Sequence, residues 1–186
     1  NKGYETFDDF LGELNSRKRK AIKKERREVA DAGVTLKRLT GDDITEDHWD
    51  SFYHYYLNTI DHKWGRAYLT REFFSILGET MSDMAMLVVA EQDGARIAGA
   101  LNLVGDNTIF GRNWGCSVEV KFLHFEACYY QAIDAAISLG LKRVEAGAQG
   151  AHKLARGYLP CATYSLHYIP DPGFRNAVSD YLVRER

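Results

Sequence analysis

Apolar residues at helical spacing give way, in the middle of the chain, to alternating and continuous apolar runs, and then return to helical spacing. Thr6-Phe7-Asp8-Asp9 is a capping start for a helix carrying Phe10, Leu11 and Leu14. Ile22 and Val29 follow at helical spacing in a charged stretch that stops at Gly33, and residues 34–39 form a strand pattern. Asp42-Asp43 or Thr45 opens a helix with Trp49, Phe52, Tyr53, Tyr56 and Leu57, and Thr70 caps a shorter one with Phe73, Phe74 and Leu77. Residues 85–91 are a buried-strand run, Gln92-Asp93-Gly94 signals a tight hairpin, and residues 96–103 are the return strand. Gly105-Asp106-Asn107 turns into a third strand over 108–114. A long helix over 124–139 follows, with Phe125, Cys128, Ala132, Ile133, Ala136 and Ile137 on one face, and Gly140 ends it. The spacing then predicts a strand over 141–146, a loop over 147–150 and a short helical turn over 151–156. A late strand over 162–169, alternating Thr163, Ser165 and His167, precedes a closing helix over 174–184.

This order predicts an α/β (α+β) fold with a mixed, mostly antiparallel sheet flanked by helices. The 186 residues fit one ordinary domain with an appended helix or two, divided here into a basic helical segment over 1–33 and a body over 34–186. Hydrophobic residues make up 45% and prolines number three, enough for a sizeable core and incompatible with a disordered chain. No apolar run approaches the roughly 20 residues of a transmembrane helix. Cys116, Cys128 and Cys161 are widely spaced without a CxxC pair, which argues against a disulfide scaffold or zinc ribbon and for a reducing, cytoplasmic location. The chain starts at Asn1 with no signal peptide before it, so it reads as a fragment or a processed product.

Charge is distributed unevenly. Residues 16–28 hold eight basic and two acidic side chains, a net +6 that leaves −8 on the rest of a −2 chain. A basic block on an acidic body suits an anionic partner for that block alone, or else a solvated helix face. Asn15-Ser16 can cap a helix whose first turn would hold Arg17, Lys18, Arg19 and Lys20. Cations there oppose the positive end of the helix dipole, so amide donors, dipole and four cations converge on a phosphate site.

The element order resembles the mixed-sheet layout of the GNAT acyltransferases. Their acyl-CoA pyrophosphate sits on a Q/R-x-x-G-x-G/A turn after the third meander strand. Trp114-Gly115-Cys116-Ser117-Val118-Glu119 stands there instead and departs from that pattern. More specifically, Leu14-Asn15-Ser16-Arg17-Lys18-Arg19-Lys20-Ala21-Ile22-Lys23-Lys24 is similar to a segment of the FemAB-type aminoacyltransferases. The likeness continues through Ala32-Gly33-Val34, Phe52-Tyr53-His54-Tyr55-Tyr56 and Tyr68-Leu69-Thr70-Arg71-Glu72-Phe73-Phe74. His62-Lys63-Trp64-Gly65, Arg112-Asn113-Trp114-Gly115-Cys116, the run from Leu123 to Gln131 and the run from Glu145 to Tyr158 resemble the FemAB-like peptidoglycan biosynthesis/recognition proteins. The resemblance covers essentially the whole chain. It implies a GNAT-like domain, the C-terminal half of a protein about twice as long, whose partner is its own N-terminal half. It also implies transfer of an acyl group, often from aminoacyl-tRNA, to an amine acceptor on a cell-wall precursor.

Acyl transfer to an amine needs a base for the ammonium proton, donors for the carbonyl oxyanion and a grip on the anionic carrier. Glu145 ends a strand where it could face the cleft as base or orient the amine, or else pair with Arg143 or Lys142. Gln149, His152 and Lys153 follow on a glycine-rich loop that opens a helix, a setting for anion or oxyanion binding. Lys153 and Arg156, three apart, can share a face. The FemAB resemblance places Lys153 near the tRNA acceptor end, for phosphate gripping or oxyanion stabilisation; the bland alternative is a solvated loop charge. His124 and Glu126 open the long helix, where Glu126 suits the dipole structurally as well as it would suit catalysis. At least one of Tyr129 and Tyr130 belongs to the core, and Tyr130 is counted among the binding candidates. Trp64 and Trp114 with Arg112 could wall an acceptor pocket or simply be buried, and Lys63 and Tyr158 join the binding candidates through the resembling runs. The histidines lack HExxH or other ligand spacing, so no metal and no bound cofactor is expected. Two further readings stay open. One is a CoA-dependent GNAT N-acetyltransferase, and the other a non-catalytic module that recognises peptidoglycan precursors or RNA.

Overall fold

Two short polar signals set how the chain begins. The Thr6 hydroxyl accepts from the Asp9 amide and the Asp9 carboxylate accepts from the Thr6 amide, a capping box that starts α1 (Phe7–Gly12). The Asn15 side chain accepts from the Lys18 amide and starts α2 (Ser16–Asp31), so the two helices are separate. The computed structural model describes residues 1–61, 66–148 and 150–185. In it β1 (Val34–Thr40) leads to α3 (Glu46–Asp61) and α4 (Arg71–Thr80). The meander β2 (Ala85–Gln92), β3 (Ala95–Val104) and β4 (Thr108–Cys116) follows. Asp93 and Gly94 take φ of 51° and 77°, the pair of positive values that a two-residue I′ hairpin requires.

The five strands lie in the order β1-β2-β3-β4-β5, antiparallel up to β4, with the short β5 (Arg143–Glu145) parallel to it. β2 reads as an unbroken apolar run because both sheet faces are covered. Leu87 and Val89 pack with Trp49, Phe52, Tyr56 and Phe74 of α3 and α4, whereas Met86 and Val88 pack with Ala127, Ala132 and Ala136 behind the sheet. A third cluster joins Phe10, Leu11 and Ile22 of α1 and α2 to Tyr129, Tyr130 and Ile133. At Gly115 the backbone of α3 comes close against the sheet: a Cβ built there would lie 2.2 Å from the Tyr55 carbonyl. Neither backbone can give way cheaply, so Gly115→Ala should lower stability by about 1–3 kcal/mol, measured by urea unfolding.

Three expected elements differ. The long helix divides into α5 (Leu123–Phe125), a π-helical turn (Glu126–Tyr130) and α6 (Gln131–Ser138). The extra residue of a π turn rotates the helix beyond it, and both Tyr129 and Tyr130 are buried. The strand expected over 141–146 pairs only over Arg143–Glu145. The strand expected over 162–169 does not form: that stretch is bare of regular structure and, apart from half-buried Ile169, exposed. Its alternation is genuine, but no sheet edge pairs with it among the described residues, and a strand needs a partner for its backbone. The chain ends in α7 (His152–Ala155) and, beyond the bare stretch, α8 (Pro172–Glu185).

Candidate functional site

The sheet parts between β4 and β5. β5 pairs with Thr108, Ile109 and Phe110 only, while β4 runs on to Cys116. At the parting, Leu101 faces Asn113 and Asn102 faces Gly111, so Arg112 is the extra residue of a bulge, and it is exposed. On the far side of β5 lies a groove of about 910 Å³. Ile133, Ile137 and Val144 form its apolar floor, and Glu145, Lys153 and Tyr158 are among its walls.

The structure brings Glu145 and Lys153 to one hollow. The Lys153 ammonium donates to the carbonyls of Gly147 at 2.9 Å and Ala148 at 3.0 Å, which leaves the third of its three protons for another acceptor. Burial holds the Lys153 pKa below the usual lysine value. Glu145 lies 3.5 Å from the Arg143 guanidinium and keeps a third of its side-chain surface in contact with solvent.

A second group forms around the π turn. The Tyr129 hydroxyl and the His152 Nε2 are 3.0 Å apart, and the Tyr158 hydroxyl donates to the Tyr129 carbonyl at 3.3 Å. The His124 ring stands 5.4 Å from those of Trp114 and Tyr129 and 6.4 Å from that of His152. Burial pushes the Tyr129 pKa up to about 12, so its hydroxyl stays a neutral partner for His152 across the physiological range. Trp114, His124 and His152 therefore meet, with Tyr129 in the middle.

Other candidates are occupied in holding α2. Arg156 is buried, donates twice to the Glu25 carboxylate at 3.1 and 2.7 Å, and covers the Phe125 ring at 3.3 Å. The Tyr130 hydroxyl donates to the same carboxylate. Arg26 makes a two-pronged pair with buried Glu126, both bonds 3.1 Å, and reaches Asp134 at 2.8 Å. Lys153 and Arg156 thus have different partners, since α7 ends at Ala155 and the two do not share a helical face. At the start of α2, Lys18 donates to the Leu154 carbonyl at 2.8 Å and Arg19 to that of Leu14 at 3.0 Å, while Arg17 is exposed. The basic helix start is consequently tied to α7 beside Lys153. Lys63, Trp64 and Gln149 lie outside the described residues. Glu25, Arg26 and Tyr129 carry no site role in the sequence pattern: Glu25 and Arg26 are members of the charged block and Tyr129 is a core candidate.

Among the described residues, no group of three or more histidine, cysteine or acidic side chains could hold a metal ion. After β4 the Ser117 amide donates to the Ile97 carbonyl, the Leu123 amide to Val120, and those of Phe125 and Glu126 to Phe122.

A family model, FemAB-like, described as peptidoglycan biosynthesis/recognition, matches residues 1–186. No curated protein matches the chain significantly. A conserved protein of unknown function from Bacteroides thetaiotaomicron superposes with a TM-score of 0.56 at 15% identity, over 84% of this chain and 55% of its own. A C-terminal domain ascribed to a lysylphosphatidylglycerol synthetase of Agrobacterium fabrum gives 0.54 at 14% identity, over 70% of this chain and 41% of its own. An aminoglycoside acetyltransferase from an uncultured soil sample, solved with sisomicin, gives 0.50 at 13% identity, over 77% of this chain and 99% of its own. The fold is that of the GNAT-like acyltransferases, and the chain spans about half or less of the first two of these proteins.

Proposed function

The chain belongs to the FemAB-like family of peptidoglycan biosynthesis/recognition proteins, and on that premise we propose that it transfers an acyl group from an anionic carrier to an amine. The observation that carries this reading is the shared hollow: Glu145 and Lys153 open into one groove at the edge of an acyltransferase-type sheet. The amine nitrogen attacks the carbonyl carbon of an ester, forming the C–N bond. Glu145 takes the ammonium proton, and the third proton of Lys153 meets the oxyanion. The C–O bond to the carrier then breaks, and the departing oxygen receives the proton held by Glu145. A cell-wall precursor supplies the amine in this scheme, and its approach is bounded by Tyr158.

Aminoacyl-tRNA fits the carrier better than acyl-CoA. The Trp114–Glu119 stretch departs from the Q/R-x-x-G-x-G/A pattern of an acyl-CoA turn, whereas α2 presents exposed Arg17, Lys20, Lys24 and Arg27 along one side of a helix whose start is bonded to α7. His152, packed on Tyr129, positions the α7 turn that carries Lys153.

The test is a transfer assay offering aminoacyl-tRNA and acyl-CoA to the protein with amine acceptors, alongside tRNA binding over a salt series. Arg17→Glu with Lys20→Glu should weaken tRNA binding at every salt concentration and flatten the log–log salt slope by about one per cation removed. Turnover with acyl-CoA alone would replace the carrier assignment. Salt-steep tRNA binding without any transfer would leave a recognition module in its place.

A further inference from the structure

Residues 159–185 contain no buried residue, and only Ile169 and Val178 are partly covered. Leu166 is 101% exposed, Tyr164 92% and Tyr168 84%, and α8 carries Phe174, Val178, Tyr181 and Leu182 along one side without a buried residue. This is no slack tail. The Asp171 carboxylate accepts from the Phe174 amide at 2.7 Å, and Arg175 reaches back to the Ile169 carbonyl at 2.8 Å. A 14-residue helix with an apolar stripe is marginal alone in water and is made stable by burying that stripe.

The same chain carries the complementary surface. The sheet ends at β5, whose outer edge pairs with no strand among the described residues, and an open edge is a template for another strand. Beside that edge lies the groove floored by Ile133, Ile137 and Val144, and Leu159 to Thr163 form its rim. The arm therefore departs from the very place where a strand is missing, yet from Tyr164 onward it stands clear of its own body.

We propose that this arm is an exchange arm: residues 162–169 of a second copy of this chain add to the β5 edge, and each copy's α8 lies across its partner. Sheet geometry sets the side-chain assignment. With Tyr164, Leu166 and Tyr168 on the Val144 side, over the apolar floor, the alternating Thr163, Ser165 and His167 fall on the face that carries Glu145. Each chain owns one donor and one acceptor, so reciprocal exchange satisfies both in a closed two-fold dimer. The arm supplies about the 20–30 residues that each side of a standard interface contributes. The exchanged strand would lie along the groove that the acyl-transfer reading gives to substrate and would form one of its walls; the test measures assembly alone and is read independently of transfer activity.

Light scattering on the full chain should give the dimer mass. Tyr164→Glu with Leu166→Glu alters only exposed side chains, so circular dichroism should not change, while the dimer dissociation constant rises roughly 100-fold. A short bismaleimide applied to Arg143→Cys with Ser165→Cys, whose side chains share the Glu145 face, in a Cys161→Ser background, should give a covalent dimer. A monomeric wild type, a charged variant that remains dimeric, or a crosslink closed within one chain would each overturn exchange.

Discussion

Arg26→Met is expected to lower folding stability by about 3 kcal/mol, the low end of the range for breaking a buried pair because the guanidinium itself is 28% exposed. The loss comes from the carboxylate that the substitution strands. The Glu126 side chain is only 5% exposed, and without Arg26 it would face Asp134 with only Gln131, 2.8 Å away, as a donor. Burial already holds the Glu126 pKa above its ordinary value, with Arg26 pulling it back down. Removing that pull raises it further, so the folded state of the variant binds a proton that the unfolded state releases. Stability then falls as pH rises through that window and recovers on acidification towards the ordinary glutamate range. Urea midpoints from pH 5 to 8 check both parts: a deficit that shrinks steadily as pH falls. A deficit independent of pH would mean that lost packing against Phe7, whose ring lies 4.4 Å from the guanidinium, matters more than the stranded carboxylate.

The same ion pairs show what local pattern can and cannot reveal. The capping box at Thr6 and the Asp93-Gly94 hairpin are local chemistry, complete within a few residues, and both were legible. The late strand had the correct alternation, but alternation states only that one face is apolar. It does not say which edge will receive it, and among the described residues no edge of the same body does. The π turn was hidden because one inserted residue barely disturbs the apolar spacing on either side. At the site, Glu145 and Lys153 were found because a glycine-rich loop keeps them within eight positions of each other. Glu25 was not, since its partner Arg156 is 131 residues away and charge counting had absorbed it into a basic block. Arg156, judged by its three-residue spacing from Lys153, was given a helical face that ends one residue too early.

Lys153→Met is expected to reduce kcat by about 100- to 1,000-fold, the usual cost of losing an oxyanion donor, with a much smaller change in KM. Two of the three ammonium protons hold the Gly147 and Ala148 carbonyls, so a purely structural lysine would also damage the loop when removed. The pH profile separates the roles. Because burial lowers the Lys153 pKa, wild-type kcat should fall on the alkaline side before an ordinary lysine would lose its proton, and the variant's residual rate should lack that limb. Lys153→Arg restores the charge and the loop contacts with a planar group that cannot direct a single proton at a point, so it should recover stability more fully than rate. If the limb persists in Lys153→Met, the titrating group lies elsewhere. Lys153 is then a brace for the loop, and the oxyanion must be met by another donor in the groove.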